Sequence, residues 1–242
     1  MRVKVSVVMA VRNVELYVDT AIQSVLSQKG VSFELLIGDD ASGDRSWSRV
    51  QAYERDSRVG LYRFRMHRGA GATRNQLIAR AKGKYISICD ADDWLLLGSL
   101  KRLAQTLDRS SRVGVVNGPR EILSRSRSLV PDLSAQSGYS LPLDLVRMPI
   151  PHQGAMFRKR LFKQVGGYDT SLPFSEDFDL FLKLGEVAQL RQLKGKSTSI
   201  HRIRRGSLSD QPPKRVQRIY QEIVKRAIFR RTGLHVPWAI CG

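Results

Sequence analysis

The chain has 242 residues, enough to bury a sizeable core, and its 42% apolar content is typical of a globular protein rather than a disordered one. With 41 Lys and Arg against 22 Asp and Glu, the net charge of +19 predicts attraction to polyanions such as nucleic acid, an anionic membrane surface or a phosphate-bearing substrate. Its two cysteines, Cys89 and Cys241, lack paired spacing, which excludes a disulfide scaffold and a Cys/His zinc site.

The chain alternates strand and helix patterns from its start to Leu95. Strands are predicted at 3–11, 33–38 and 59–64, with a helix ending at Lys29-Gly30 and further helices at 47–54 and 73–81. This alternation predicts an α/β protein with a mostly parallel sheet and helices on both of its faces. In such sheets ligands bind beyond the carboxyl ends of the strands.

A buried strand beginning at Tyr85 leads into three carboxylates, Asp90, Asp92 and Asp93. Because strand residues alternate, Asp90 and Asp92 are expected on the same face, where their charges repel unless a cation lies between them. Carboxylate oxygens at this position suit Mg²⁺ or Mn²⁺. A solvated acidic turn is the alternative. Asn13, Asp40 and Asp92 all lie at predicted strand ends, which favours a nucleotide-binding role for residues 1–116.

The second half of the chain is less regular. We predict a helix at 95–107, a strand at 113–116, a surface loop at 120–139, an extended segment at 152–157 and a helix at 158–165. A turn containing Pro173 then places Glu176 and Asp177 in the first turn of another helix, where acidic side chains are favoured. For Glu176 this structural role and a catalytic role both remain open.

The last segment, residues 211–242, has a different character. Apolar side chains recur three and four residues apart from Val216 to Ile228, surrounded by Lys and Arg. Two interpretations stay open. The helix packs this stripe on the main domain, or residues 214–231 lie on an anionic membrane surface. No apolar run approaches the ~20 residues of a membrane span.

In their order and spacing, the motifs between residues 3 and 210 resemble those of the family 2 glycosyltransferases, which have the GT-A fold. The matching segments are 5–10 with Asn13, 24–28, 33–42, 71–75, 81–86, Asp90-Ala91-Asp92-Asp93, Gly166-Gly167-Tyr168-Asp169 and Glu176-Asp177. The resemblance implies that residues 117–210 form the acceptor-binding half of the same domain. It also implies an inverting reaction in a single displacement.

The resemblance also implies site residues. Asp177 would be the general base, Asp92 the ligand of Mn²⁺ or Mg²⁺, and Asp90 a second contact with the cation, ribose or diphosphate. Asp40 would accept from N3–H of a uracil-like base, and Arg74 would lie near the diphosphate. The remaining nucleotide contacts would be Ala10, Arg12, Asn13, Ala91 and Arg204. Arg12 stands where the family usually has an aromatic residue and Arg204 where it usually has His; both guanidinium groups can meet a base or a phosphate.

Together these observations predict a metal-dependent glycosyltransferase. Its donor would be a nucleotide sugar, UDP-linked by preference, and its acceptor a hydroxyl of a glycan or lipid-linked molecule in cell-surface polysaccharide synthesis. We expect it in the cytoplasm, with possible peripheral attachment to the inner face of the membrane. A nucleic-acid-binding protein is an alternative suggested by the charge, although the aromatic content of 7% offers no evident stacking platform and we expect no specific nucleic-acid partner. A nucleotidyltransferase is another alternative, disfavoured by the lack of a triphosphate loop.

Overall fold

A computed structural model describes residues 3–126, 128–132, 151–204 and 213–234. The strands are β1 (Val5–Val11), β2 (Phe33–Asp40), β3 (Val59–Phe64), β4 (Tyr85–Ile88), β5 (Trp94–Leu95), β6 (Val113–Asn117), β7 (Arg120–Leu123), β8 (Leu129–Pro131), β9 (Met156–Arg158), β10 (Gln189–Gln192) and β11 (Ser199–Arg202). The helices are α1 (Val18–Leu26), α2 (Ser46–Gln51), α3 (Ala70–Arg80), α4 (Ser99–Arg109), α5 (Lys159–Gln164), α6 (Glu176–Val187) and α7 (Pro213–Thr232).

The main sheet has seven strands in the order β10-β6-β9-β4-β1-β2-β3. Its pairs are parallel except for β9, which runs antiparallel to both β4 and β6. The mostly parallel α/β sheet expected from the sequence is therefore confirmed. After β1 the chain adds β2 and β3 on one side, and it then returns to add β4 on the other side of β1. This reversal opens a crevice at the carboxyl ends of β1 and β4, where ligands bind in sheets of this kind.

Two apolar layers cover the faces of this sheet. In β1, Val7 and Met9 belong to the cluster packed with α1 and α4, whereas Val8 belongs to the opposite cluster with α3, α5 and α6. This is the alternation that a strand buried on both faces requires. The carboxyl ends of the strands, with their polar side chains, are thereby held at one rim of a rigid core.

A second sheet, in the order β5-β11-β7-β8, lies next to the acidic strand end. Its strand β5 begins directly after Asp93, and β11 pairs with it antiparallel, with Ile200 opposite Trp94. The pairing brings the chain around Arg202 and Arg204 to the carboxylates of Asp92 and Asp93. A small sheet thus connects two parts of the chain more than 100 residues apart.

The prediction of a surface loop at 120–139 is wrong for much of the part that is described, because β7 and β8 form there. Strand β7 pairs in parallel with β11, which comes far later in the chain, so local periodicity gives no sign of it. Residues 127 and 133–139 lie outside the described residues. The helix predicted from Leu95 begins instead at Ser99, because Trp94 and Leu95 are taken into β5.

The C-terminal helix α7 packs its apolar stripe on α6. Ile223 and Ala227 are completely buried and contact Phe178 and Leu182. The packing interpretation of the stripe is therefore confirmed for the described residues. A membrane contact through residues 214–231 stays a prediction and would have to use the basic side of α7. Nowhere in the described ranges does a helix combine the length and apolarity needed to cross a bilayer.

Gly83 offers a test of how tightly β1 and β4 are held together. A Cβ at Gly83 would lie 2.5 Å from the backbone nitrogen of Ser6 and 2.7 Å from its Oγ, which accepts the Gly83 N–H. We expect Gly83→Ala to lower the free energy of unfolding by about 1–3 kcal/mol, because backbone atoms must shift to admit the methyl group. Urea denaturation measures this free energy. The control is Lys82→Ala at the exposed neighbouring position, whose free energy of unfolding should lie within about 0.5 kcal/mol of the parent. Equal stability of the two variants would contradict the close approach.

Candidate active site

The loops after β1 and β2 are joined by hydrogen bonds at the carboxyl rim. Asn13 has a left-handed backbone (φ 51°), and its Oδ1 accepts the Gly43 N–H at 2.8 Å. The Asn13 N–H donates to Ser42 Oγ at 3.1 Å, and Arg12 Nη1 donates to the Asp40 carbonyl at 3.2 Å. Ala10 lies just before this loop and is half-buried. These contacts give the rim a fixed shape around the predicted nucleotide contacts of the first loop.

Asp40 is buried and already holds a neighbouring turn. Its carboxylate accepts from His67 Nδ1 at 2.8 Å and from the N–H groups of Arg68 and Gly69 at 2.8 and 2.9 Å. A carboxylate offers about four acceptor positions, so a nucleobase would have to use the remaining one. Asp40 therefore also fixes the turn that leads into α3. Its contact with a base stays a prediction.

Arg74 connects the acidic strand end to the first turn of α6. The residue is 7% exposed. Its Nη2 donates to Asp90 Oδ1 at 2.8 Å, and its Nη1 donates to Glu176 Oε1 at 2.7 Å. Burial disfavours the charge of Asp90, yet the adjacent guanidinium overrides this and holds the pKa of Asp90 below its ordinary value. Sequence reasoning placed Arg74 near the diphosphate but did not foresee that it joins two carboxylates 86 positions apart in the chain.

Asp177 follows Glu176 at the start of α6 and is half-buried. Burial raises the pKa of Asp177 above its ordinary value, and the charge of Glu176 adds to the rise, while His152 and Arg74 oppose it. His152 is itself buried, with Nε2 at 2.8 Å from the Tyr168 hydroxyl and Nδ1 at 4.0 Å from Asp90 Oδ2. A carboxylate with a raised pKa is a stronger base than a carboxylate with the ordinary pKa.

The last two acids of the motif face the segment after β11. Asp92 Oδ2 accepts from Arg204 Nε at 2.6 Å. Asp93 is buried and accepts from His201 Nδ1 at 2.9 Å and from the Arg202 N–H at 2.7 Å. Burial raises the pKa of Asp93 to about 6. Asp93 therefore has a structural role, whereas Asp92, with 19% of its side chain exposed, faces the open rim.

The carboxylate oxygens of Asp90 and Asp92 suit a hard cation that binds together with a substrate phosphate. Within the described ranges, no three His, Cys, Asp or Glu side chains form a ready-made metal cage. Mg²⁺ commonly needs only one or two carboxylates, with water and substrate phosphates completing its shell. Asp92 and Asp90 offer such oxygens, with 19% and 27% of their side chains exposed. Each already meets a guanidinium, so a cation would have to share or displace the contacts with Arg204 and Arg74.

The structure brings most of the predicted residues to one rim. Hydrogen bonds lead from Asp40 to the turn before α3, from Arg74 of α3 to Asp90, and from Arg74 to the residue preceding Asp177. Ala91 lies buried between Asp90 and Asp92. Sequence reasoning missed the contacts of His67 and His201 with aspartates, because no shared spacing marks them. His235 lies outside the described residues.

Comparisons with known proteins identify the family of the chain. The family model described as "Glycosyl transferase family 2" matches residues 6–166, well over half of the chain. The chain is 26% identical over 246 residues to an uncharacterized glycosyltransferase, EpsJ, of Bacillus subtilis, covering 95% of this chain and 71% of the relative. It is 24% identical over 212 residues to a chondroitin synthase of Escherichia coli, covering 82% of this chain but only 30% of that relative.

A solved structure shows the same fold. TarS residues 1–349 of S. aureus, in complex with UDP-GlcNAc, superpose with a TM-score of 0.79 at 20% sequence identity, covering 98% of this chain and 69% of that one. Together with the mostly parallel sheet, this likeness confirms the GT-A fold expected from the motifs. From the match of the family model, we conclude that the chain belongs to glycosyl transferase family 2.

Proposed function

We propose that this glycosyltransferase moves a sugar from a nucleotide-sugar donor, UDP-linked by preference, to a hydroxyl of a glycan or lipid-linked acceptor in cell-surface polysaccharide synthesis. The observation that carries the proposal is the bridge made by Arg74, which places the donor-side carboxylate Asp90 next to the turn bearing Asp177. The TarS structure with bound UDP-GlcNAc and the chondroitin synthase relative support the donor and the product class.

In the proposed reaction Asp177 accepts the proton of the attacking acceptor hydroxyl. The new bond forms between that oxygen and the anomeric carbon, while the bond from this carbon to the diphosphate oxygen breaks and the nucleoside diphosphate leaves. One displacement inverts the anomeric configuration. Burial makes Asp177 a stronger base, and the positive charge of Arg74 helps to keep it ionised.

On the leaving-group side, arginines face the region where negative charge develops. Arg204 and Arg12 lie at the rim, and a guanidinium binds phosphate oxygens with strong charge-assisted hydrogen bonds. Asp92, with Asp90, would hold Mn²⁺ or Mg²⁺, which supplies neutralisation of the diphosphate charge when bound. Residues 1–116 would bind the donor and residues 117–210 the acceptor, within one GT-A domain.

The first test concerns the base. Asp177→Asn keeps the shape of the side chain but removes its ability to accept a proton. We expect sugar transfer to fall by at least about 10²-fold, while UDP binding measured by calorimetry remains. The matched control is Asp19→Asn on α1, since the carboxylate of Asp19 makes a partly exposed ion pair with Arg49 and a hydrogen bond with the Tyr53 hydroxyl. Transfer by Asp177→Asn at the parent rate would show that another group is the base.

The second test is the pH profile. Only the ionised form of Asp177 can accept a proton, so kcat should fall as the pH decreases through the raised pKa of this group. Glu176→Gln removes a neighbouring negative charge that raises this pKa, so we expect the acidic limb of the kcat profile to move to lower pH, on the order of one unit. Glu54→Gln, at an exposed position after α2, should leave the limb in place. A shift of the Glu176→Gln limb to higher pH contradicts the assignment.

The third test concerns the cation. We expect Asp92→Asn to weaken UDP binding by about tenfold or more when Mn²⁺ is present, because a ligand oxygen becomes an amide, and to change it little in EDTA. Arg204→Ala should weaken UDP binding under both conditions, because its guanidinium would meet the phosphates directly. Calorimetry of the two variants with and without Mn²⁺ separates these roles. Equal loss for Asp92→Asn in EDTA would argue against a cation ligand, and parent-like affinity of Arg204→Ala against the phosphate contact.

A further inference from the structure

The helix α7 packs against the helix that carries the proposed base. Its buried side chains Ile223 and Ala227 meet Phe178 and Leu182 of α6. Phe178 is the residue directly after Asp177, so the contact between the helices reaches the first turn of α6. A segment that reads in the sequence as a basic extension therefore adjoins the candidate active site.

Tyr220 is a residue of α7 that packs against this turn. Its ring lies 4.6 Å, centroid to centroid, from the ring of Phe178. Its hydroxyl lies near the side chain of Ser175, which acts to lower the pKa of Tyr220. Burial raises the pKa of Tyr220, and the negative charge of Asp177 raises it further, which is consistent with the two side chains lying near each other.

Ser175 has a strained backbone conformation. It has a left-handed backbone, with φ 62° and ψ 20°, which is uncommon for a residue other than glycine and costs conformational energy. It directly precedes α6, and its carbonyl accepts from the N–H groups of Phe178 and Asp179. Its side chain does not cap the helix. The side chain of Ser175 lies instead near Tyr220, a residue outside α6.

Ion pairs fix the position of α7 along α6. Arg226 lies 3.0 Å from Asp169, and Arg230 lies 3.0 Å from Glu186 and 3.6 Å from Asp179. Such exposed or half-exposed pairs each contribute little stability. Their geometry nevertheless favours one register of the two helices, which is the register that presents Tyr220 to Ser175.

From these contacts we propose that Tyr220 is a positioning residue for the base. Its ring packs on Phe178 and its hydroxyl holds Ser175, so that the turn presenting Asp177 stays in one conformation. The proposal rests on the proposed function, because it assigns Asp177 as the group being positioned. It makes α7 a part of the acceptor side of the enzyme, in addition to its packing role.

The test is Tyr220→Phe, which keeps the ring and removes only the hydroxyl. We expect kcat for transfer to fall about tenfold, since a small misplacement of a catalytic group is costly. The KM for the nucleotide sugar and the Kd for UDP should remain within about twofold of the parent values. The thermal midpoint should remain within a few degrees, because the packing of the ring is retained. Gln217→Ala, an exposed position of α7, is the control and should match the parent throughout.

A double-mutant cycle separates positioning from a general loss of structure. Ser175→Ala should lower kcat to a similar extent, and adding Tyr220→Phe to it should produce no further loss, because both remove the same hydrogen bond. If Tyr220→Phe does not fold, Ser175→Ala alone decides the matter. A parent-like kcat in both single variants, or a loss that appears only in UDP affinity, overturns the proposal.

Asp177→Asn, assayed in the same experiment, distinguishes failure of the positioning role from failure of the proposed base. If Asp177→Asn abolishes transfer while Tyr220→Phe and Ser175→Ala behave like the parent, the positioning role is wrong and the proposed function stands. If Asp177→Asn retains transfer, the proposed base is wrong, and with it the role given to Tyr220.

Discussion

The buried guanidinium of Arg74 is the interaction on which the rest of the site depends. It lies between Asp90, at the end of a central strand, and Glu176, at the start of a helix from the other half of the chain. Each of the two carboxylates would be costly to bury without this charge, and removing one partner of such a buried pair typically costs about 3–5 kcal/mol. The bridge therefore holds the chain after β4 and the first turn of α6 in a fixed relation, while the charge of Arg74 keeps Asp90 ionised.

Acidic side chains are scarce in this basic chain, and several of those at the rim have structural partners. Asp40 holds the turn that leads into α3, and Asp93 holds the end of β11. These two contacts orient neighbouring residues, whereas Asp90, Asp92 and Asp177 each keep part of their surface exposed. The rim thus combines a rigid acidic frame with arginines around it, which suits a substrate whose negative charge increases as the reaction proceeds.

Two elements outside the first strand-and-helix alternation complete the site. The small sheet brings Arg204 to Asp92 through the pairing of β11 with β5. Helix α7 covers the first turn of α6, where Tyr220 lies against Phe178. Strand β11 and helix α7 come from late in the chain, and both act on residues that follow or adjoin the central sheet.

The sequence by itself determined the alternation of strands and helices, the parallel sheet and the positions of Asn13, Asp40 and Asp92 at strand ends, because these follow from local periodicity and from the geometry of parallel strands. The motif order also identified the family. Only the tertiary structure decided what each acid contacts. The bridge from Arg74 to Glu176, the pairing of β7 with β11 and the contact of Tyr220 with Phe178 join residues far apart in the chain. Such contacts depend on how the elements pack in three dimensions, and no local pattern of residues encodes them.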